Sequence, residues 1–101
     1  MNVVVVGGGS WGTAFSRVLV NREHDVTLAC RDPEQARAIN ETQRNPRYLT
    51  SCDLRGIVAT TIEDAPVADA DLVVVAVPSA VYRSVVESLP GKAPVLSLTK
   101  G

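Results

Sequence analysis

Residues 3–15 read Val-Val-Val-Val-Gly-Gly-Gly-Ser-Trp-Gly-Thr-Ala-Phe, and this stretch decides the fold. Val3 to Val6 is an unbroken β-branched run, the composition of a strand buried on both faces of a parallel sheet. Gly7 to Gly12 breaks it. Beyond the break, Trp11, Ala14, Phe15, Val18 and Leu19 recur at i, i+3, i+4, i+7 and i+8, which predicts a helix laying that face on the sheet.

The same alternation continues to the end of the chain. Asn21 to Asp25 is a polar turn, and Val26 to Cys30 a second strand. Asp32-Pro33 opens a second helix: Asp32 caps it, Pro33 fits its first position, and Gln35 completes a capping box. Its apolar stripe, Ala36 and Ile39, is thin, so the helix is expected to be partly exposed, with Asn45-Pro46 as its stop. From there to Leu54 no period is visible, and a loop of that length suggests a role. Ile57 to Thr60 reads as a short third strand near a sheet edge, and Ile62 to Ala70 as a short helix plus turn. Leu72 to Val77 is a second core strand. Pro78-Ser79 starts a helix with Val81, Val85, Val86 and Leu89 on one side and Pro90-Gly91 as its stop, and Val95 to Leu98 is a fifth strand. Alternating strands and helices imply right-handed crossovers and a Rossmann-type doubly wound parallel sheet, a three-layer sandwich with strand order 3-2-1-4-5.

Such a sheet binds ligands beyond the carboxyl ends of its strands, where the strand order reverses. Here that is between the first and fourth strands, bordered by Gly7–Gly12 and Pro78-Ser79, with Arg31 and Lys100 projecting from the second and fifth strands at the same edge. Gly7, Gly9 and Gly12 occupy the diagnostic places of G-x-G-x-x-G: Gly7 for the tight turn, Gly9 for close approach of a pyrophosphate, Gly12 for helix–sheet packing. The helix start adds a favourable field for an anion of about 0.3–1 kcal/mol. Together these point to a dinucleotide. Cys30-Arg31-Asp32 bears on which one, because an acid after the second strand holds the ribose 2′-hydroxyl of NAD, whereas an Arg accommodates a 2′-phosphate. With Asp32 assigned to capping, Arg31 favours NADP(H), leaving NAD(H) as the alternative and a merely solvated Arg31 as the bland reading. Lys100 is either a solvated terminal residue or a contact for an anionic substrate or the carboxamide end of the cofactor.

Composition narrows the class. The 101 residues are 46% hydrophobic and 21% charged, room for one domain (1–101) with one aliphatic core, since aromatics make up only 4%. Ten Lys+Arg against eleven Asp+Glu argue against a nucleic-acid partner. The longest apolar run, Leu72 to Val77, is strand-sized and no basic region precedes Val3, so neither a membrane span nor a signal peptide is expected. Cys30 and Cys52 form no C-x-x-C pair and read as free thiols in a reduced, cytoplasmic protein; no metal site is expected. His24, the sole histidine, falls in a turn on the far side of the sheet and reads as a solvated residue.

Gly-Ser-Trp-Gly-Thr-Ala (Gly9–Ala14), Asn45-Pro46-Arg47-Tyr48-Leu49, Val77-Pro78-Ser79 and Ser97-Leu98-Thr99-Lys100-Gly101 occur in this order and spacing. In these the chain resembles the cofactor-binding part of bacterial-type NAD(P)-dependent glycerol-3-phosphate dehydrogenases. The resemblance implies reversible hydride transfer between sn-glycerol 3-phosphate and dihydroxyacetone phosphate, feeding glycerophospholipid synthesis. It implies cofactor contacts at Ser10, Trp11 and Arg31, a cofactor contact at Tyr48 as in some members, and a Lys100 that meets both cofactor and substrate. Trp11 as a helix anchor and Tyr48 as a packing pin are the plainer alternatives. The family's general acid/base lysine lies in a helical second domain, so no catalytic residue is expected in this chain, and a homodimer would form through that domain. By itself the chain is expected to bind cofactor weakly, without turnover. Three departures stand out: Gly8 where alanine is usual, which is expected only to loosen the turn, Thr50 where proline is common, and Ala29-Cys30 in place of a bulkier pair. Rival expectations are the cofactor domain of another two-domain hydroxy-acid or sugar-acid dehydrogenase, and a nucleotide-sensing module without chemistry.

Overall fold

The β-branched stretches form the centre of a five-stranded parallel sheet in a computed structural model, which describes residues 1–88 and 94–97. In chain order the elements are β1 (Asn2–Val6), α1 (Ser10–Asn21), β2 (Asp25–Cys30), α2 (Pro33–Thr42), β3 (Ile57–Thr61), a 3₁₀ turn at Val67–Asp69, β4 (Leu72–Val75), α3 (Ser79–Ser88) and β5 (Val95–Ser97). The strand order is β3-β2-β1-β4-β5, as the alternation predicts, and β3 is an edge. Val4 sits between Thr27 and Val73 in register, so the middle of β1 is the middle of the sheet.

Alternation of side chains across β1 explains its uniform sequence. Val3 and Val5 enter one core layer with Leu28, Ile39, Leu54 and Val74. Val4 and Val6 enter the other with Val73, Val75 and Val77, against which Val81, Tyr82, Val85 and Val86 of α3 pack. Both faces are dry, and each buried valine contributes about 1.5–3 kcal/mol of transfer free energy.

The structure corrects several element boundaries. α1 buries Gly12, Thr13, Ser16 and Leu19, whereas Trp11 and Val18 are 66% and 48% exposed. The helix lies so close to the sheet that a Cβ on Gly12 would stand 1.9 Å from the Gly7 carbonyl oxygen. Small residues therefore take the closest contact; of the expected stripe, Leu19 and Phe15 pack on the core while Trp11 and Val18 turn outward. α2 ends at Thr42, capped by Gln43 in the left-handed region (φ 60°), before Asn45-Pro46. Asp32 caps α2 as expected, accepting from the Glu34 N–H at 2.9 Å, but the Gln35 side chain donates elsewhere and does not close the capping box. The helix expected within 62–70 is turns, with only the 3₁₀ piece at Val67–Asp69. β4 stops at Val75, where the chain turns out toward the site. β5 is described to Ser97; Leu98, Leu89, Pro90-Gly91 and Lys100 lie outside the described residues. His24 is half-buried in the turn, and its Nδ1 lies 3.3 Å from the Met1 amine in an exposed contact. No helix among the described residues is long and apolar enough to cross a membrane.

Candidate functional site

The ends of β1, β2 and β4 open into a cleft of about 690 Å³ lined by Gly7 to Trp11, Arg31, Asp32, Gln35, Arg47, Tyr48 and Ala76 to Pro78. Its floor is built by close approach. Gly7 has φ 120°, and a side chain there would meet the Ala76 carbonyl oxygen at 2.3 Å. Gly9 is the opposite case: a Cβ would meet nothing within 4 Å. Its bare backbone faces open space at the head of α1, where no side chain caps the helix and no acidic residue occupies the first turn. Backbone N–H groups at such a start have no helical partner and attract an anion.

A buried polar network orients that loop. The Gly8 carbonyl oxygen accepts from Gln35 Nε2 at 2.8 Å and from Asn45 Nδ2 at 2.9 Å. Asn45 Nδ2 also donates to Thr13 Oγ1 at 2.9 Å, and Asn45 Oδ1 accepts from Gln35 Nε2 at 3.1 Å. Asn45, Thr13 and Gln35 are all buried, and no buried side-chain nitrogen or oxygen among the described residues lacks a partner. A trans peptide sets its C=O and N–H on opposite sides. Anchoring the Gly8 oxygen on Gln35 and Asn45 therefore turns the Gly9 N–H away from those two side chains.

Asn45 organises the facing loop as well. Its Oδ1 accepts from the backbone N–H groups of Arg47 (3.0 Å) and Tyr48 (3.2 Å). Further along, Arg44 donates to the Ser51 carbonyl at 2.7 Å and Arg17 to that of Asp53 at 2.8 Å. Arg47 in turn bonds the Asp32 carboxylate. The Glu34 N–H first, and then Arg47, hold the Asp32 carboxyl below the usual carboxylate range. Beneath the cleft, burial and then Asp32 push the Cys30 thiol up to about 11, so it is a neutral packing residue. Among the described residues no group of His, Cys, Asp and Glu could hold a metal ion.

The comparisons with known proteins agree with this geometry. Residues 2–101 match the family model of the NAD-dependent glycerol-3-phosphate dehydrogenase N-terminus. The chain belongs to this family. It is 45% identical over 98% of its length to glycerol-3-phosphate dehydrogenase [NAD(P)+] of Pseudomonas syringae pv. syringae, and 40% identical over 99% to that of Alcanivorax borkumensis. It spans 30% and 31% of those two proteins. The solved glycerol-3-phosphate dehydrogenase of Plasmodium falciparum superposes with a TM-score of 0.87 at 29% identity, covering all of this chain and 32% of that one.

In this member of the N-terminal family, the structure brings Gly7, Gly9, Ser10, Trp11, Arg31, Tyr48 and Pro78 to one cleft, with Gly12 behind it as the packing glycine. Trp11 and Tyr48, 66% and 43% exposed, stand at its rim rather than buried as anchors. Lys100 lies outside the described residues. Asn45, Gln35 and Arg47 belong to the site but escape the sequence reading, which treats Asn45 as a helix stop and Gln35 as a capping residue. A buried-network role has no local signature; the one available signal is the polar Asn-Pro-Arg-Tyr run in a loop too long for a simple connection. A methyl at Gly8 would stand 3.0 Å from Cys30 Sγ and from Gln35 Nε2, a tight contact to which those side chains would have to give.

Proposed function

We propose that the cleft binds NADP(H), and NAD(H) more weakly. The chain then supplies the cofactor half of an enzyme that interconverts sn-glycerol 3-phosphate and dihydroxyacetone phosphate in cytoplasmic glycerophospholipid synthesis. The observation that carries the reading is the bare Gly9 backbone at the uncapped start of α1, opposite Arg31 across one cleft. The residues suit a dinucleotide: Gly9 and the first turn of α1 take the pyrophosphate, Arg31 the 2′-phosphate, and Trp11 and Tyr48 offer aromatic faces at the rim. Pro78 closes the β4 side, and Lys100 is assigned to the junction of cofactor and anionic substrate. Bound there, the nicotinamide would supply or accept the hydride; proton transfer falls to residues outside this chain.

Trp11 is the sole tryptophan and stands at the cleft, so it serves as the reporter. Adding NADPH should quench its emission and excite nicotinamide fluorescence by energy transfer, with NADH requiring a higher concentration. A folded sample showing neither quenching nor heat of binding would overturn the cofactor reading. For the substrate, an enzyme extending beyond this chain should oxidise NADPH with dihydroxyacetone phosphate and not with 2-oxo acids; the reverse preference would assign it to another dehydrogenase class.

A further inference from the structure

We propose that Arg47 is a second binding group for the 2′-phosphate and, through Asp32, the residue that sets the preference between the two cofactors. The proposal rests on the reading of the cleft as a dinucleotide site. Asp32 follows Arg31 directly after β2, where an acidic side chain would take the ribose 2′-hydroxyl of NAD. Here that carboxylate is already committed. Its Oδ1 accepts from the Glu34 N–H at 2.9 Å, and its Oδ2 accepts from Arg47 Nη2.

Arg47 reaches Asp32 from the opposite wall, across fifteen residues of sequence. Its backbone is fixed by the buried Asn45 side chain, so it is a placed group rather than a wandering one. Nη2 is the guanidinium atom that bonds Asp32, and the side chain is 54% exposed, which leaves other N–H groups turned to the cleft and solvent. A planar guanidinium with spare donors suits a phosphate.

Charge decides the rest. With Arg31, Asp32 and Arg47 together the rim carries a net charge of +1, from two cations and one anion. Without Arg47 the sum falls to zero, and an uncompensated Asp32 faces the position of a 2′-phosphate. That carboxylate would repel the phosphate and accept a ribose hydroxyl instead. Arg47 thus discriminates twice, by attracting one cofactor and by masking the group that would favour the other.

Adenosine 2′,5′-bisphosphate and adenosine 5′-monophosphate differ only in the 2′-phosphate, and calorimetry with both on the full chain is the test. Arg47→Ala should weaken bisphosphate binding about tenfold or more while changing monophosphate binding less than about twofold. Arg47→Lys, which keeps the charge without the fork, should fall between. The ratio of the two affinities is the readout, because a general loosening of the loop moves both together. Equal losses for both probes, or no loss for either, would overturn the role of Arg47 and leave the cleft intact. Absence of binding by either probe to the unaltered protein would instead overturn the dinucleotide reading beneath it.

Discussion

Replacing Asn45 with alanine tests the idea that one buried amide organises both walls of the cleft. The side chain is fully buried and makes its contacts in two directions: Nδ2 to Gly8 O and Thr13 Oγ1, Oδ1 from Gln35 and the backbones of Arg47 and Tyr48. Not all of this is lost outright. Gly8 O keeps its bond from Gln35, and the Arg47 and Tyr48 N–H groups sit on exposed residues where water can replace the amide. The unrecovered part is the Thr13 pairing, the Gln35 pairing and half of the Gly8 anchorage, at about 1 kcal/mol net each. Asn45→Ala should therefore destabilise the fold by about 3 kcal/mol, a large share of the roughly 5–15 kcal/mol available to a domain of this size. Urea unfolding followed by circular dichroism, with an unchanged slope, measures it. A loss below about 0.5 kcal/mol, the scale of an ordinary surface substitution, would refute the network argument.

Gly12→Ala should cost at least about 3 kcal/mol, because the methyl would meet backbone oxygen and not a movable side chain; a thermal midpoint within a few degrees of the parent would contradict the close-approach account. Cys30, buried and with its thiol raised from 9.0 to about 11, should resist alkylation at pH 8 in the native protein while Cys52 is labelled, and mass spectrometry showing equal rates would refute this. For the same thiol the folded form holds its proton longer than the unfolded one, so its contribution to stability is complete below pH 9 and declines as pH rises toward about 11. Cys30→Ala should flatten that alkaline limb, and an unchanged limb would assign it to other groups. Trp11→Ala should leave stability within about 0.5 kcal/mol, since the side chain is largely solvated, yet weaken NADPH binding; calorimetry showing unaltered affinity would remove Trp11 from the site.

Strand identity and order, the glycine turn, the Asp32 cap and the location of the cleft were all legible in the amino-acid sequence. Each of them rests on local regularities: a β-branched run, a glycine spacing, a capping residue, and chirality rules that leave few ways to wind alternating elements. Gly9 and Arg31 could be placed at one end of the sheet because each closely follows a strand, β1 or β2, whose end is legible in the sequence. The tertiary structure alone decided which face α1 buries and what holds the loops. Periodicity nominated Trp11 and Val18 as packed, but the contact of Gly12 with the Gly7 backbone sets the rotation of the helix and turns both outward. Asn45 and Gln35 meet the Gly8 oxygen across 37 and 27 residues, and Arg47 meets Asp32 across 15. Such polar contacts depend on distances between segments that are remote in sequence, and a hydrogen bond is lost within a few tenths of an ångström. Hydrophobic pattern sets which elements stack, while the pairing of their polar groups is settled only when the stacked elements come to rest.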